Sequence, residues 1–595
     1  MSEYLAPLED MRFALRDLAA LENIASLPGY AEAGSDVVDA ILDEAARFAG
    51  EILSPLNRVG DLHGSRLDGG RVVTAPGFRE AYRRFVDGGW NGLASDPAYG
   101  GQGLPRLVAA AVSEMWKGAN HAFSLCPMLT QGAIEALVLA GTESQKALYL
   151  PALVAGEWTG TMNLTEPGAG SDLAAIRCRA EPTANGAYRL YGQKIFITYG
   201  DHDLAENIVH LVLARIAGAP EGVRGISLFL VPKFLPDATG RPGARNDVQC
   251  VSLEHKLGIH GSPTAVLAFG DREGAQGSLV GEENRGLEIM FIMMNAARFN
   301  VGLEGLGDAE RSYQRAAAYA RERVQGTEAG RRDGAKVPIL RHPDVRRMLM
   351  SMRSRIEAMR ALAYVVAAAQ DEAAAHPDAG TRAAAGAFAE LLVPVVKGWC
   401  TENAIDIASL GIQIHGGTGY IEETGAAQHL RDARITAIYE GTTAIQANDL
   451  VGRKLVRDGG AALAALIARM RQDAKAAGGA GDDDALGRRL ETAIDGLESA
   501  GAWLLARWSD DVASALAGAV PFLMLLGTTA GGWQMARAAT IASARRIAGD
   551  KSAFWMAKLA TARFYSDHFL TQAPGLANAI VSGATGTLAM PEESF

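Results

Sequence analysis

The sequence predicts an α+β protein of several domains, in the order N-terminal helical domain, central β-barrel, C-terminal helical bundle and appended helical domain. Its 595 residues are too many for one core and imply roughly three to five domains or layers. Apolar residues at helical spacing dominate both ends of the chain, while one interior stretch switches to short β-branched and aromatic runs broken by Gly, Pro, Asn and Asp. Ala and Gly are abundant and aromatics few, a balance suited to closely packed helices.

Residues 1–35 are an N-terminal extension whose head, MSEYLAPLEDMRFAL, is mixed and acidic and has no basic start followed by an apolar run, so no secretory signal is visible. The N-terminal helical domain, 36–158, opens with a helix from Ser35 to Asn57 that carries Val38, Ile41, Leu42, Ala45, Phe48, Ile52 and Leu53 on one face and is expected to stop near Pro55. In the β-barrel domain, 159–282, the strands are KIFITYG, NIVHLVLARI, GISLFLVPKF, DVQCVSL and TAVLAFG. Residues 283–455 return to long helical patterns whose lengths suit a four-helix bundle. Beyond Leu455, AAGGAGDDDALG interrupts further helical patterns and marks an appended helical domain over 456–595. Within it Val512 to Ala536 carries no charge and is long enough to cross a bilayer. Pro521, the Gly531-Gly532 pair and several hydroxyls break this run, which reads better as a buried helix pair; a peripheral membrane contact stays open.

The net charge of -11 argues against a nucleic-acid partner. Cys126, Cys178, Cys250 and Cys400 are scattered, so neither a disulfide framework nor a zinc site is suggested and a reducing, cytoplasmic setting fits. No H-E-x-x-H, G-x-S-x-G or G-x-x-x-x-G-K-[ST] occurs. EPGAGSD and HGGTGY each contain G-x-G without completing a dinucleotide fingerprint. His255 and His260 stand without further ligands nearby, and no metal site is expected.

What remains is an ordered set of motifs: TMNLTEPGAGSD from Thr161, GQKIFIT from Gly192, RFNVG from Arg298, QIHGGTGY from Gln413, LRDARI from Leu430, then YEGTTAIQ from Tyr439. Taken alone, Glu440 in the last of these reads either as a solvated carboxylate beside a Thr442 or Thr443 helix cap or, if buried, as a base. Together the motifs closely resemble the acyl-CoA dehydrogenase family over about residues 36–455. YLAPLEDMRF and the extra C-terminal helices further resemble its long, 3-methylmercaptopropionyl-CoA dehydrogenase-like branch.

The resemblance implies an FAD enzyme that oxidises an acyl-CoA to its trans-2-enoyl form, with electron-transfer flavoprotein as the acceptor. Glu440 matches the catalytic base. Such a base needs a proton affinity raised by burial and a water-excluding pocket, with Tyr439 expected to supply apolar cover and Gly441 close approach to the substrate. Some relatives carry the base immediately before the arginine matching Arg298, but here that position is Ala297. Glu304 reads as a helix-surface or interhelical carboxylate, and Arg298 either as a structural ion-pair partner or as a residue near the base or the CoA.

By the same matching, Leu164 and Thr165 lie beside the flavin ring, Ser171 lies near the pyrophosphate or CoA, Phe196 and Thr198 pack on the flavin, and Thr442 is a retained FAD contact. Phe196 replaces a Trp of many relatives and by itself would read as barrel core. Arg323, Gln413, Gly416 and Gly417 match positions that reach a neighbouring subunit's FAD, which implies an oligomer, and the appended helices are expected to occupy the surface by which four-subunit relatives pair their dimers, leaving a homodimer. Ala444 stands where the family often has Gln, which puts one adenine-side contact in doubt. Ser124, Leu125 and Met128 fall where the family lines the acyl tail and suggest an apolar pocket for a short or medium chain. The alternatives are a DNA-associated flavoprotein of the same fold, disfavoured by the balanced charge after residue 455, and a membrane-attached long-chain enzyme.

Overall fold

The computed structural model describes residues 4–184, 186–331, 334–478 and 484–595. The centre of the AAGGAGDDDALG linker, 479–483, lies outside them. Among the described residues, 47–104 and 119–297 form one compact unit and 4–46, 105–118 and 298–595 form the other.

The first helix, α1 (Ser35–Phe48), does not end the helical path at Pro55. One π-helical turn (Ala49–Leu53) leads straight into α2 (Ser54–His63). Pro55 occupies the first turn of α2, where a missing N–H is tolerated, so it restarts the helix and does not stop it. Further on, α3 (His121–Ala140) is capped by the Asn120 side chain accepting from the Phe123 N–H.

Among the described residues the main sheet of the β domain has eight strands: β1 (Trp158–Asn163), β2 (Arg179–Pro182), β3 (Tyr188–Thr198), β4 (Asn207–Ile216), β5 (Ile226–Pro232), β6 (Val248–Leu253), β7 (Thr264–Phe269) and β8 (Ala275–Val280). Five of them close a ring in which β3 pairs with β8, β8 with β5, β5 with β4, β4 with β2 and β2 with β3. This is the barrel the β-branched runs predict, and closure removes its free edges. Leu190, Val212, Ala214, Phe229 and Val231 are among the buried residues that fill its core. The remaining strands extend the ring, β1 running parallel to β4 and β7 pairing with β3.

One irregularity in this sheet reaches the functional surface. Between the pairs Ala265–Ile197 and Leu267–Lys194, β3 uses one more residue than β7. The extra residue gives a bulge in which Phe196 takes φ +59°, and bulges re-aim side chains. Phe196 is consequently 59 % exposed, so the barrel-core reading of it was wrong.

The second unit is helical. From residue 298 onward it holds most of α4 (Gly286–Glu322), then α5 (Pro343–Ala375) packed along α6 (Ala379–His415), and the short α7 (Thr443–Asp449). In the appended region Val512–Ala536 is divided at Gly518, between a short helix, Val512–Ala517, and the start of the long α8 (Ala519–Ile547), and not at the residues expected to break it. Pro521 sits in the first turn of α8, and Gly531 and Gly532 run through its middle. These glycines mark close approach, not a break: a Cβ on Gly527 or Gly531 would meet Trp399, and one on Gly532 would meet Leu570. In this way α8 packs on α6 and α7, pressing Leu523 against Gly398.

The N-terminal extension is pinned to the same unit by buried charge. The Arg360 guanidinium donates to Glu114 (2.6 Å) and Glu310 (2.8 Å) and also pairs with Asp10, while the Tyr364 hydroxyl donates to Glu114 at 2.7 Å. Lys558 in α9 (Ala553–His568) pairs with Asp10 as well. Removing one partner from such a cluster leaves an uncompensated buried charge, a cost of about 3–5 kcal/mol.

Among the described residues, two helical stretches are by length and composition alone able to cross a membrane, His121–Ala140 and Ala379–Tyr420; 78 % and 67 % of their most apolar windows are buried within the protein. Val512–Ala536 is not one of them.

Candidate active site

Glu440 lies on a turn between the 3-10 turn Arg434–Ala437 and α7. The Thr442 hydroxyl caps α7 by accepting from the Ile445 N–H, so the cap reading of Thr442 holds, and Glu440 precedes the helix without belonging to it. The turn is strained: Glu440 has φ +53° and Gly441 φ +91°. Only glycine fits after the acid, since a Cβ on Gly441 would come within 2.8 Å of Gln446 Nε2.

The turn is held from two sides. Gln446 Nε2 donates to the carbonyl oxygens of Glu440 and Gly441, both at 3.1 Å. Lys397 Nζ donates to the Gly441 carbonyl at 2.8 Å. Thr443 Oγ1 donates to Glu402 at 2.5 Å. Among the described residues no backbone carbonyl accepts the Glu440 N–H, which leaves this donor available to a ligand.

Although the residue as a whole is half-buried, its carboxyl group is enclosed, and burial pushes it up from the ordinary carboxylate range to about 7. Glu304 adds to the rise, while Lys397 and Arg298 oppose it. Burial pulls the Lys397 ammonium down to about 8 against the attraction of Glu440, Glu304 and Glu402.

Of the two readings of Glu304, the interhelical one holds and the surface one does not, because it is fully buried and accepts a hydrogen bond from the Tyr439 hydroxyl at 2.5 Å. Tyr439 therefore gives more than apolar cover, since it ties the turn that carries Glu440 to α4. Arg298 is buried and ion-paired to Asp449 at 3.2 Å, as the structural reading expects, and its charge is also felt by Glu440. Sequence reasoning missed Lys397 altogether. Its only signal was a lysine in the otherwise apolar LLVPVVKGWC.

The other unit carries a ledge of different character. Ile195 N–H donates to the Thr165 carbonyl at 2.9 Å, and Lys194 Nζ to the Leu164 carbonyl at 2.9 Å and the Glu166 carboxylate at 2.8 Å. Glu166 also accepts the N–H groups of Arg177 and Cys178. The TEPGAGSD loop is thereby fastened to β3, bringing half-exposed Leu164, Thr165 and Thr198 beside exposed Phe196. Gly168 and Gly170 face open space, and Ser171 is exposed in the same loop. An exposed aromatic ring re-aimed by a bulge, next to hydroxyls and open glycines, fits the face of a planar cofactor such as a flavin.

Ser124 and Met128 are buried in α3, where the Ser124 hydroxyl donates to the His121 carbonyl at 2.8 Å. Arg323, Gln413, Gly416 and Gly417 are exposed. The last three lie near the C-terminal end of α4, just before Arg323, because Tyr319 in its last turn stacks on His415 at 4.4 Å and its hydroxyl accepts from Thr418.

Set against known proteins, the chain matches the acyl-CoA dehydrogenase N-terminal domain over residues 36–157, the middle domain over 161–271 and the C-terminal domain over 284–455, and an acetyl-CoA dehydrogenase C-terminal-like domain over 459–591. It belongs to the acyl-CoA dehydrogenase family. Among its relatives is the 3-methylmercaptopropionyl-CoA dehydrogenase of Ruegeria pomeroyi, 50 % identical over 96 % of each chain. Two solved structures share the fold over nearly the whole chain. Caenorhabditis elegans ACDH-11 in complex with C11-CoA has a TM-score of 0.77 at 22 % identity, covering 96 % of this chain and 92 % of its own. A Bacillus anthracis acyl-CoA dehydrogenase complexed with FAD has a TM-score of 0.74 at 23 % identity, covering 96 % and 91 %.

The raised proton affinity of Glu440 has a sign that can be checked. Its carboxyl is neutral below about pH 7 and ionised above. In infrared spectra, a carboxylic-acid band absent from Glu440→Gln should fade as pH rises through about 7. A band that titrates near the ordinary glutamate range, about 4.3, would contradict the burial argument.

Proposed function

We propose that the chain is an FAD-dependent oxidoreductase that converts an acyl-CoA thioester to its trans-2-enoyl-CoA, with Glu440 as the base. The observation that carries this is a carboxyl group raised to about 7 on a clamped, strained turn. Glu440 takes the α-proton; the N–H at the same residue is free to donate to the thioester oxygen as negative charge develops there. Arg298 and Lys397 keep the ionised base accessible by opposing Glu304. Leu164, Thr165, Phe196, Thr198 and Ser171 would hold the FAD, with Thr442 a further contact. When bound, FAD accepts the β-hydrogen together with its electron pair.

For the acyl group we propose 3-methylmercaptopropionyl-CoA or a related short or medium chain in fatty acid metabolism or β-oxidation, supported by the similarity to the Ruegeria pomeroyi enzyme. Ser124, Met128, Arg298, Gly441 and Ser171 are the proposed substrate contacts. The proposed acceptor is electron-transfer flavoprotein and the proposed location the cytoplasm, where four free thiols are at ease.

A homodimer is proposed because Arg323, Gln413, Gly416 and Gly417 lie in the open beside Tyr420, 85 % exposed, and Ile421, 50 % exposed. Apolar side chains this exposed are suited to cover by a second subunit.

Glu440→Gln should stay yellow and folded while turnover on a panel of short, medium, aromatic and sulfur-containing acyl-CoAs falls by about three orders of magnitude or more. Near wild-type turnover would remove Glu440 as the base. Light scattering of the holoprotein should give a dimer that releases FAD on dilution. A monomer that keeps its FAD at nanomolar concentration would refute the shared cofactor site.

A further inference from the structure

Four parts of the helical unit bring charge to the surroundings of Glu440. Glu304, Asp308 and Arg298 come from α4, Lys397 and Glu402 from α6, and Asp449 from α7, with Arg453 just beyond it. Residues 105–118 add Lys117, whose Nζ donates to Ser113 Oγ at 2.8 Å and Asn300 Oδ1 at 3.4 Å and is attracted by Glu304 and Asp308. Glu304 thus lies buried between two buried lysines, with the Tyr439 hydroxyl bound to it.

Proton abstraction by Glu440 does not in itself call for this second acid. Burying a carboxylate costs several kcal/mol before its partners compensate, and a neutral glutamine could accept the same hydrogen bond from Tyr439. The charge at position 304 therefore needs its own explanation, and the geometry supplies one. Lys397 and Gln446 hold the carbonyl groups of the turn from the Gly441 side, whereas Tyr439 holds it on the other side of Glu440 and ends on Glu304.

We propose that Glu304 is a positioning residue for the base: through the Tyr439 hydroxyl it fixes the turn that carries Glu440, and it places a second buried acid beside it. This rests on the reading of Glu440 as the base. A base bound for a weakly acidic α-carbon needs a high proton affinity, and a nearby like charge raises it without touching the substrate. The two lysines compensate the charge of Glu304, and Tyr439 converts its position into that of the turn.

The test compares Glu304→Gln and Tyr439→Phe holoenzymes with wild type. Glu304→Gln keeps an acceptor for Tyr439 but removes the charge, so the Glu440 infrared band should titrate about one pH unit lower. Tyr439→Phe keeps the charge but cuts the tether, so kcat should fall about tenfold while KM stays within about twofold. A band in Glu304→Gln at the wild-type position, or full kcat in Tyr439→Phe, would overturn the proposal. The infrared readout needs no turnover. A wild-type chain inactive on every thioester would therefore count against the proposed activity, and the band would still decide the role of Glu304.

Discussion

The structure of the helical unit depends on enclosing one carboxyl group, that of Glu440, at the end of a strained turn. Desolvation is what turns an ordinary glutamate into a base near neutral pH, and it is also a liability. A folded-state value of about 7 means the fold is favoured with Glu440 protonated, and this contribution is lost as pH rises through about 7. The surroundings offset that liability by holding the turn through backbone carbonyls, with Lys397 and Gln446 as donors, and by balancing Glu304 against Lys397 and Arg298. Position and proton affinity are thus set by largely the same residues.

The appended helices have a place in this arrangement. α8 packs on α6 beside Lys397, with Gly398 and Trp399 seated against Leu523 and Gly527, and on α7 directly after the base. The glycines of α8 let Trp399 approach closely enough to fix α6 along its length. Buried charge gathered on Arg360 and Lys558 joins the N-terminal extension to the same body. A region that looks like an addition in sequence therefore backs the two helices on which the base depends.

Motif spacing made the barrel, the long helices and Glu440 legible, because strand alternation, helical periodicity and a short acid-glycine turn are local properties of the chain. Properties that depend on tertiary neighbours were not legible. Pro55 looks like a stop but starts a helix after a π turn; the glycine pair of α8 looks like a break but is a packing notch. Phe196 looks like core because Ile195 and Ile197 flank it in a β run, and only a one-residue bulge set by pairing with β7 turns it outward. Glu304 reads as either a surface or an interhelical acid, because nothing in its local sequence shows that Tyr439, Lys397 and Lys117 lie near it.

The central claim is that Glu440 removes the α-proton, and it can be separated from oxidation. An acyl-CoA with sulfur in place of carbon 3 has no β-hydrogen to lose, so any chemistry at its α-carbon is proton transfer alone. In D2O, wild-type holoenzyme should wash deuterium into that α position, as followed by NMR, and Glu440→Gln should do so at least about a hundredfold more slowly. Exchange by Glu440→Gln at the wild-type rate would contradict the account.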